Sequence, residues 1–253
     1  MFLTTALRRA DVAGVLVLVI ALMIAQAGRA RAEMITTFLG GSINTAGNWS
    51  DGLPSSARTG YIAVDGQNTS TVFNFGSGSV VNQAAGTITS SDGFNLTGGT
   101  WNMSGGGIVT RYFLSNQGST VINLSDGLVE LADRTGTQHM GVANNGTLNI
   151  SGSAMLDGTQ ATTNVQRGGT INFDSGWTGY WTYGMHNAED AWRTELTTYT
   201  GTYKLDGASI TPDVFDTWFL VSADHMTLSV IPEPTTWLLL LSALACGLLV
   251  RRR

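Results

Sequence analysis

A short phrase recurs along the middle of this chain: an apolar residue or threonine, then asparagine, an apolar residue, a small polar residue, and glycine soon after. It reads Val72-Phe73-Asn74-Phe75-Gly76, Phe94-Asn95-Leu96-Thr97-Gly98 and Thr100-Trp101-Asn102-Met103-Ser104-Gly105. It continues as Thr120-Val121-Ile122-Asn123-Leu124-Ser125, Thr147-Leu148-Asn149-Ile150-Ser151-Gly152 and Thr170-Ile171-Asn172-Phe173-Asp174. The asparagines are spaced by 21 (74 to 95), 21 (102 to 123), 26 (123 to 149) and 23 (149 to 172) residues, a solenoid period. Alternation within a phrase puts Leu148 and Ile150 on one face, so each phrase predicts a short strand with one buried side. Gly98-Gly99, Gly105-Gly106-Gly107, Gly168-Gly169 and the Asp-Gly pairs at 92, 126 and 157 predict tight corners between strands.

A second apolar patch follows each phrase, at Ile108-Val109, Leu128-Val129-Glu130-Leu131 and Ala154-Met155-Leu156. Phrase plus patch make one coil of a right-handed parallel β-helix, expected over residues 73–176. Many Asp-Gly and Gly-Gly pairs also suit a β-sandwich of hairpins, but the self-similarity favours the solenoid. The asparagines either stack as a hydrogen-bonded ladder or face solvent at turn edges. After Ser175 aromatics crowd together, with Trp177, Tyr180, Trp181, Tyr183, Trp192, Tyr199, Tyr203 and Trp218 inside 42 residues. Two readings stand for the region 177–230: a cap shielding the last coil, or a carbohydrate platform on which Trp177, Tyr180, Trp181 and Trp192 stack against sugar rings. A helical turn is expected at Asp190–Leu196, with strands at Ala208–Thr211, Trp218–Val221 and Met226–Val230.

The two ends carry addresses. Arg8-Arg9, an apolar run from Ala13 to Ala27 and Ala30-Arg31-Ala32 form a secretory signal peptide over residues 1–32, cut by a signal peptidase before Glu33. At the other end Pro232-Glu233-Pro234 precedes an apolar stretch from Trp237 to Val250 and a terminal Arg251-Arg252-Arg253. Three guanidinium groups behind an apolar segment act as a stop-transfer device. A span of 14 residues is short of the roughly 20 that a lasting bilayer anchor needs.

The order of parts over residues 231–253 resembles the PEP-CTERM sorting signal, whose motif, hydrophobic helix and arginine cluster are recognised by an exosortase. The resemblance implies Pro232, Glu233 and Pro234 as the recognition element, exosortase as a processing partner, and a Gram-negative-type bacterial envelope, cell surface or extracellular matrix as destination. The internal phrases are similar to repeats of autotransporter passenger domains and PEP-CTERM solenoid proteins. Gly47–Pro54, in a lead-in and cap region over 33–72, is similar to the segment preceding such repeats.

Between the two signals lie six basic and 16 acidic residues, a net charge near −10. Such a surface repels phosphate backbones and excludes nucleic acid as a partner. The lone cysteine, Cys246, sits in the C-terminal apolar stretch and reads as a small hydrophobe, so no disulfide staples the exported part. Asp126, Glu130 and Asp133 cluster beside Arg134, with Asp157 and Asp174 one and two coils on. A paired-carboxylate site would need two of them together on one face, yet Asp126 and Asp157 precede glycine and read first as turn residues. His139, His186 and His225 have no ligand companion at zinc spacing, and the calcium repeat, phosphate loop and serine elbow are missing, so no metal or cofactor is expected. Asn-x-Ser/Thr triplets at Asn95, Asn102, Asn123 and Asn149 belong to the repeat phrase. These features point to a non-enzymatic structural or adhesive protein outside the cell, with a carbohydrate-binding module and a β-helix polysaccharide lyase or hydrolase as alternatives.

Overall fold

Strict alternation leaves a strand one face to bury, and a coil of only 20-odd residues can bury it solely against the coils above and below. The computed structural model shows this arrangement and describes residues 34–68, 72–73, 75–118, 120–132 and 138–231. The signal peptide, the motif Pro232, Glu233 and Pro234, the cluster Arg251, Arg252 and Arg253, and also Asn74, Asp133 and Arg134, lie outside the described residues.

The fold is mostly β, a solenoid of about six turns, with two α-helices among the described residues. Three parallel ladders form its walls. The first runs through Arg58–Ile62, Val80–Gln83, the leading half of Gly99–Thr110, the leading half of Thr120–Leu131, Thr147–Ile150, Thr170–Phe173 and Tyr203–Leu205, with Met34–Thr37 beside Arg58–Ile62 at its start. The second stacks Gly41–Ser42, Gly66–Asn68, Thr87–Ser90, the trailing halves of the two long strands, Met155–Gly158 and Tyr180–Tyr183. The third stacks Val72–Phe73, Phe94–Leu96, Phe113–Asn116, Met140–Ala143 and Gln166–Arg167.

Register sets the core. In the first ladder Val81, Trp101, Ile122, Leu148, Ile171 and Tyr203 lie in one in-register column, all buried. Ile88, Ile108, Val129, Leu156 and Trp181 form the matching column of the second. In the third ladder Phe94 and Phe113 stack with centroids 5.4 Å apart. Parallel stacking extends beyond the expected 73–176 on both sides, from Gly41–Ser42 to Tyr203–Leu205.

The first two ladders are one sheet folded at a corner. The two 12-residue strands pass through it unbroken, with the register shifting between Leu124 and Leu128. Gly106 (φ 77°) and Gly127 (φ 91°) make the bend in a region that penalises any Cβ. A Cβ on Gly106 would lie 2.2 Å from the carbonyl oxygen of Gly86, one coil below. Glycine is therefore required here by stacking as well as by φ.

Each end is closed. The segment similar to a solenoid lead-in doubles back along the first strand: the Leu39 N–H donates to the Asn48 carbonyl (2.8 Å) and the Ser50 N–H to the Thr37 carbonyl (2.9 Å). Trp49, 3 % exposed, packs on Phe38 with centroids 5.2 Å apart and donates its indole N–H to the Ile43 carbonyl at 2.9 Å. This satisfies an edge that would otherwise template pairing with another chain. At the far end the second ladder turns antiparallel, Trp181 opposite Leu228, with Phe219–Val221 outside Thr227–Val230. Helix α1 (Ala191–Thr198) contains the expected helical turn. Helix α2 (Pro212–Trp218) replaces the start of the strand expected from Trp218, which begins at Phe219 instead. Its start is local chemistry: the Thr211 hydroxyl accepts the Val214 N–H, proline follows at the first helical position, and Asp213 sits in the first turn.

Gly106→Ala is expected to destabilise the fold by about 3 kcal/mol, combining the left-handed penalty with a backbone clash. Urea titration followed by circular dichroism measures this, and an unchanged midpoint would contradict the stacked-corner assignment.

Candidate functional site

Residues that alternate with the buried column face outward, and on the first ladder they share a pattern. Asn82, Asn102, Asn123, Asn149 and Asn172 lie in register, one per coil and half-buried. Asn102 donates its amide N–H to Asn82 Oδ1 (2.8 Å), Asn123 to Asn102 (2.7 Å) and Asn149 to Asn123 (2.7 Å). Of the two expected placements, the stacked ladder is the one found. Asn172 ends the row by accepting the Gly207 N–H at 2.8 Å. Asn95, which carries the same phrase, stands instead in the third ladder opposite Leu114. The Asn95 phrase closes the coil that begins at Val80, and Asn82, outside any phrase, supplies the ladder's place in that coil.

A row on either side completes the wall. Val80, Thr100, Val121, Thr147 and Thr170 are in register two residues before the asparagines, and Ser104, Ser125 and Ser151 follow two residues after. The Ser125 and Ser151 hydroxyls donate to the carbonyls of Met103 and Leu124, both at 3.2 Å. Between Asn82 and Asn172 the amide row and the row before it hold no ionisable side chain. Tyr61 lies opposite Asn82 at one end and Lys204 opposite Asn172 at the other.

Three of the four rings expected to stack on sugars are closed off from them. Trp177, Trp181 and Trp192 are each no more than 1 % exposed, and a buried ring has no face for a sugar. Trp181 meets Trp192 at 5.4 Å, and His186 stacks on Trp192 at 4.5 Å. The indole N–H of Trp177 donates to the Ala154 carbonyl (2.8 Å) and that of Trp192 to Met226 (3.0 Å). Tyr180 is half-buried opposite Met155. The sequence could not separate the two readings because a cap and a platform need the same residue types.

At the heart of the cap lies Glu195, 5 % exposed on α1. Arg167 grips it with two bonds, Nε to Oε1 at 2.5 Å and an Nη2 to Oε2 bond at 2.7 Å, while its guanidinium lies 3.8 Å over the Tyr199 ring. The Tyr203 hydroxyl donates to Oε1, and His186 Nε2 is 3.7 Å from Oε2. Burial pushes the carboxyl up, but the bonds from His186, Arg167 and Tyr203 outweigh it and hold it below the usual range. Burial first, then the neighbouring carboxylate, drives the Tyr203 phenol well above its ordinary value. The ionised pair ties α1 to the last strand of the third ladder.

The described acidic residues of the solenoid fall at its corners and on the second ladder. Asp126 is exposed at the corner, where it accepts from the Gly127 N–H (2.7 Å) and the Ser153 hydroxyl (2.9 Å); these two bonds lower its pKa. Glu130 lies opposite Asp157 on the second ladder; the Asp157-Gly158 pair expected at a corner ends the strand Met155–Gly158 instead, and Asp157 accepts the Thr159 N–H at 2.9 Å from the turn that follows. Asp174 likewise holds the Gly176 N–H at 2.8 Å.

Asp92, Arg111, Tyr112 and His139 meet at another corner, a grouping that spacing in sequence does not reveal because the coils bring it together. The Tyr112 and His139 rings stack at 5.2 Å. Burial raises the Tyr112 phenol, aided by Asp92; burial and then Arg111 lower the His139 imidazole. Tyr112 crosses over Gly93, where a Cβ would come within 2.3 Å of the ring. Among the described residues no three His, Cys, Asp or Glu side chains are placed to hold a metal. A shallow cavity of about 680 Å³ opens over Asp65, Gln67, Thr87, Thr89 and Ser91 near the first coils.

No family model, curated protein or solved structure matches this chain. The polar wall is thus read from its own geometry.

The expected behaviour of Glu195→Gln follows from the linkage. A carboxyl with a depressed folded pKa contributes stability above its unfolded value, near 4.3, and loses it as pH falls through the folded one. The variant should be about 3 kcal/mol less stable at pH 7, because Arg167 loses its partner. The difference should shrink as pH falls from the unfolded value through the lower folded one, below which the native carboxyl is also neutral. Denaturant midpoints at pH 7 and pH 3 measure both, and a gap that widens on acidification would contradict the ion-pair account.

Proposed function

We propose that this chain is an exported structural or adhesive protein of the bacterial cell surface or extracellular matrix, a right-handed parallel β-helix delivered by an N-terminal signal peptide and sorted through an exosortase-type system. The observation that carries this reading is the continuous asparagine row, Asn82 to Asn172, between two closed ends. A solenoid whose terminal edges are covered does not add coils end to end, and what it offers a partner is its side. The handedness follows from the strong right-handed preference of parallel crossover connections.

Three sequence features support export. The signal-like start and the Pro232-Glu233-Pro234 tail bracket the solenoid, the region between them has no cysteine, and its charge near −10 keeps a secreted rod soluble. Exosortase and signal peptidase are the proposed processing partners. Arg251, Arg252 and Arg253 would halt the tail at the membrane until it is cut. No catalytic role is proposed. The cap tryptophans act in this account as packing, Asp126, Asp157 and Asp174 as acceptors for turn N–H groups, and Glu195 as a buried ion-pair partner.

Mass spectrometry of the protein recovered from native cells tests the reading. The expected species starts at Glu33, ends upstream of Trp237 and is accessible to protease added to intact cells. A chain retaining Arg253 and protected inside the cells would contradict it.

A further inference from the structure

We infer that the asparagine wall is a binding surface for an extended, uncharged polysaccharide chain lying along the solenoid axis. This rests on the reading above that the wall is the presented side of an exported protein, and it names the ligand class.

The wall is built for repetition. Its asparagine row recurs once per coil, at the strand spacing of about 4.8 Å, so Asn82 to Asn172 spans about 19 Å in four steps, with Thr100, Thr147 and Thr170 before it and Ser104, Ser125 and Ser151 after it. An asparagine amide has two N–H donors and two acceptor sites. Asn102 and Asn123 each use one donor and one acceptor within the ladder, which leaves one of each for a ligand. The ladder bonds also fix the side-chain rotamers before anything binds, which lowers the entropy cost of ordering them. A polymer of hydroxyls, each both donor and acceptor, answers such a surface unit by unit.

Charge and polarity select among polymers. The amide row and the row before it are uncharged from Val80 to Asn172, whereas the chain around them is acidic and the second ladder carries Glu130 and Asp157. A polyuronate or a nucleic acid would meet a repelling field. Val80 and Val121 place small apolar patches among the hydroxyls, suited to the C–H faces of sugar rings. The rows between Asn82 and Asn172 expose no large hydrophobic side chain that could anchor a protein interface.

Co-sedimentation with insoluble neutral β-1,4-glucan, and with a polyuronate gel of matched particle size, tests the inference on natively processed protein. Thr100→Glu with Thr147→Glu adds two charges to the wall without touching the amide ladder. Thr89→Glu with Ser91→Glu adds the same charge beside the second ladder. The expected result is binding to the glucan that falls at least tenfold in the wall variant and persists in the second. Should the wall variant unfold, soluble cello-oligosaccharide should shift the side-chain amide resonances of Asn102, Asn123 and Asn149 in the wild type. The inference is overturned by no glucan binding, by equal binding of both variants, by preference for the polyuronate, or by a wall that instead mediates self-association in sedimentation velocity. Surface labelling of intact cells separates the two readings: a labelled protein that ignores glucan overturns the ligand alone, and an unlabelled one overturns export.

Discussion

In a parallel stack at one strand spacing, each side chain has as its nearest neighbours the residues at the same place one coil above and one coil below. That constraint governs the rest of the molecule. Apolar positions become columns such as Ile122, Leu148 and Ile171. Asparagine is among the few residues that can donate to its lower copy and accept from its upper one, and a row of them satisfies itself. Corners must be crossed without side chains, so Gly106 and Gly127 sit where the backbone of the next coil passes closest. Like charges stacked the same way would repel, which fits an acidic chain whose stacked first wall carries amides and hydroxyls.

A stack also has two ends, and each presents unpaired backbone and open core. The ends are closed by different means. At the first coil, Trp49 and the Asn48–Ser50 backbone fold back over one strand. At the last, Trp181, Trp192, Tyr183 and Tyr203 fill an irregular volume, and helix α1 brings a carboxylate into it. Burying Glu195 would be costly alone; Arg167, Tyr203 and His186 offset this by surrounding it with donors. The buried carboxylate and its donors therefore serve closure of this end.

The repeat made the fold class legible in the sequence, because a period of 20-odd residues with internal alternation has few physical solutions. The phrase Thr-Leu-Asn-Ile-Ser even placed Leu148 and Ile150 inside and Asn149 outside. What it could not say was which phrases stack. Phe94-Asn95-Leu96 and Thr100-Trp101-Asn102-Met103 look alike, yet they occupy different walls of neighbouring coils, because identical alternation serves any wall. The earliest coils stayed hidden since Arg58–Ile62 and Gly66–Asn68 lack the phrase and are held by register alone. Helix α2 was readable in Thr211-Pro212-Asp213, a capping signal that the surrounding strand-like residues masked. The wall's continuity, and the meeting of Tyr112 with His139, depend on coil-to-coil register, which no single stretch of sequence contains.

The in-register ladder is the claim from which the wall, the corners and the proposed ligand all follow. Nuclear Overhauser contacts among side-chain amides test it directly. The account predicts that the Asn123 amide protons contact those of both Asn102 and Asn149, with none to Asn95. Absence of both contacts, together with the close Hα–Hα pairs of antiparallel hairpins between Thr100–Met103 and Val121–Leu124, would contradict it.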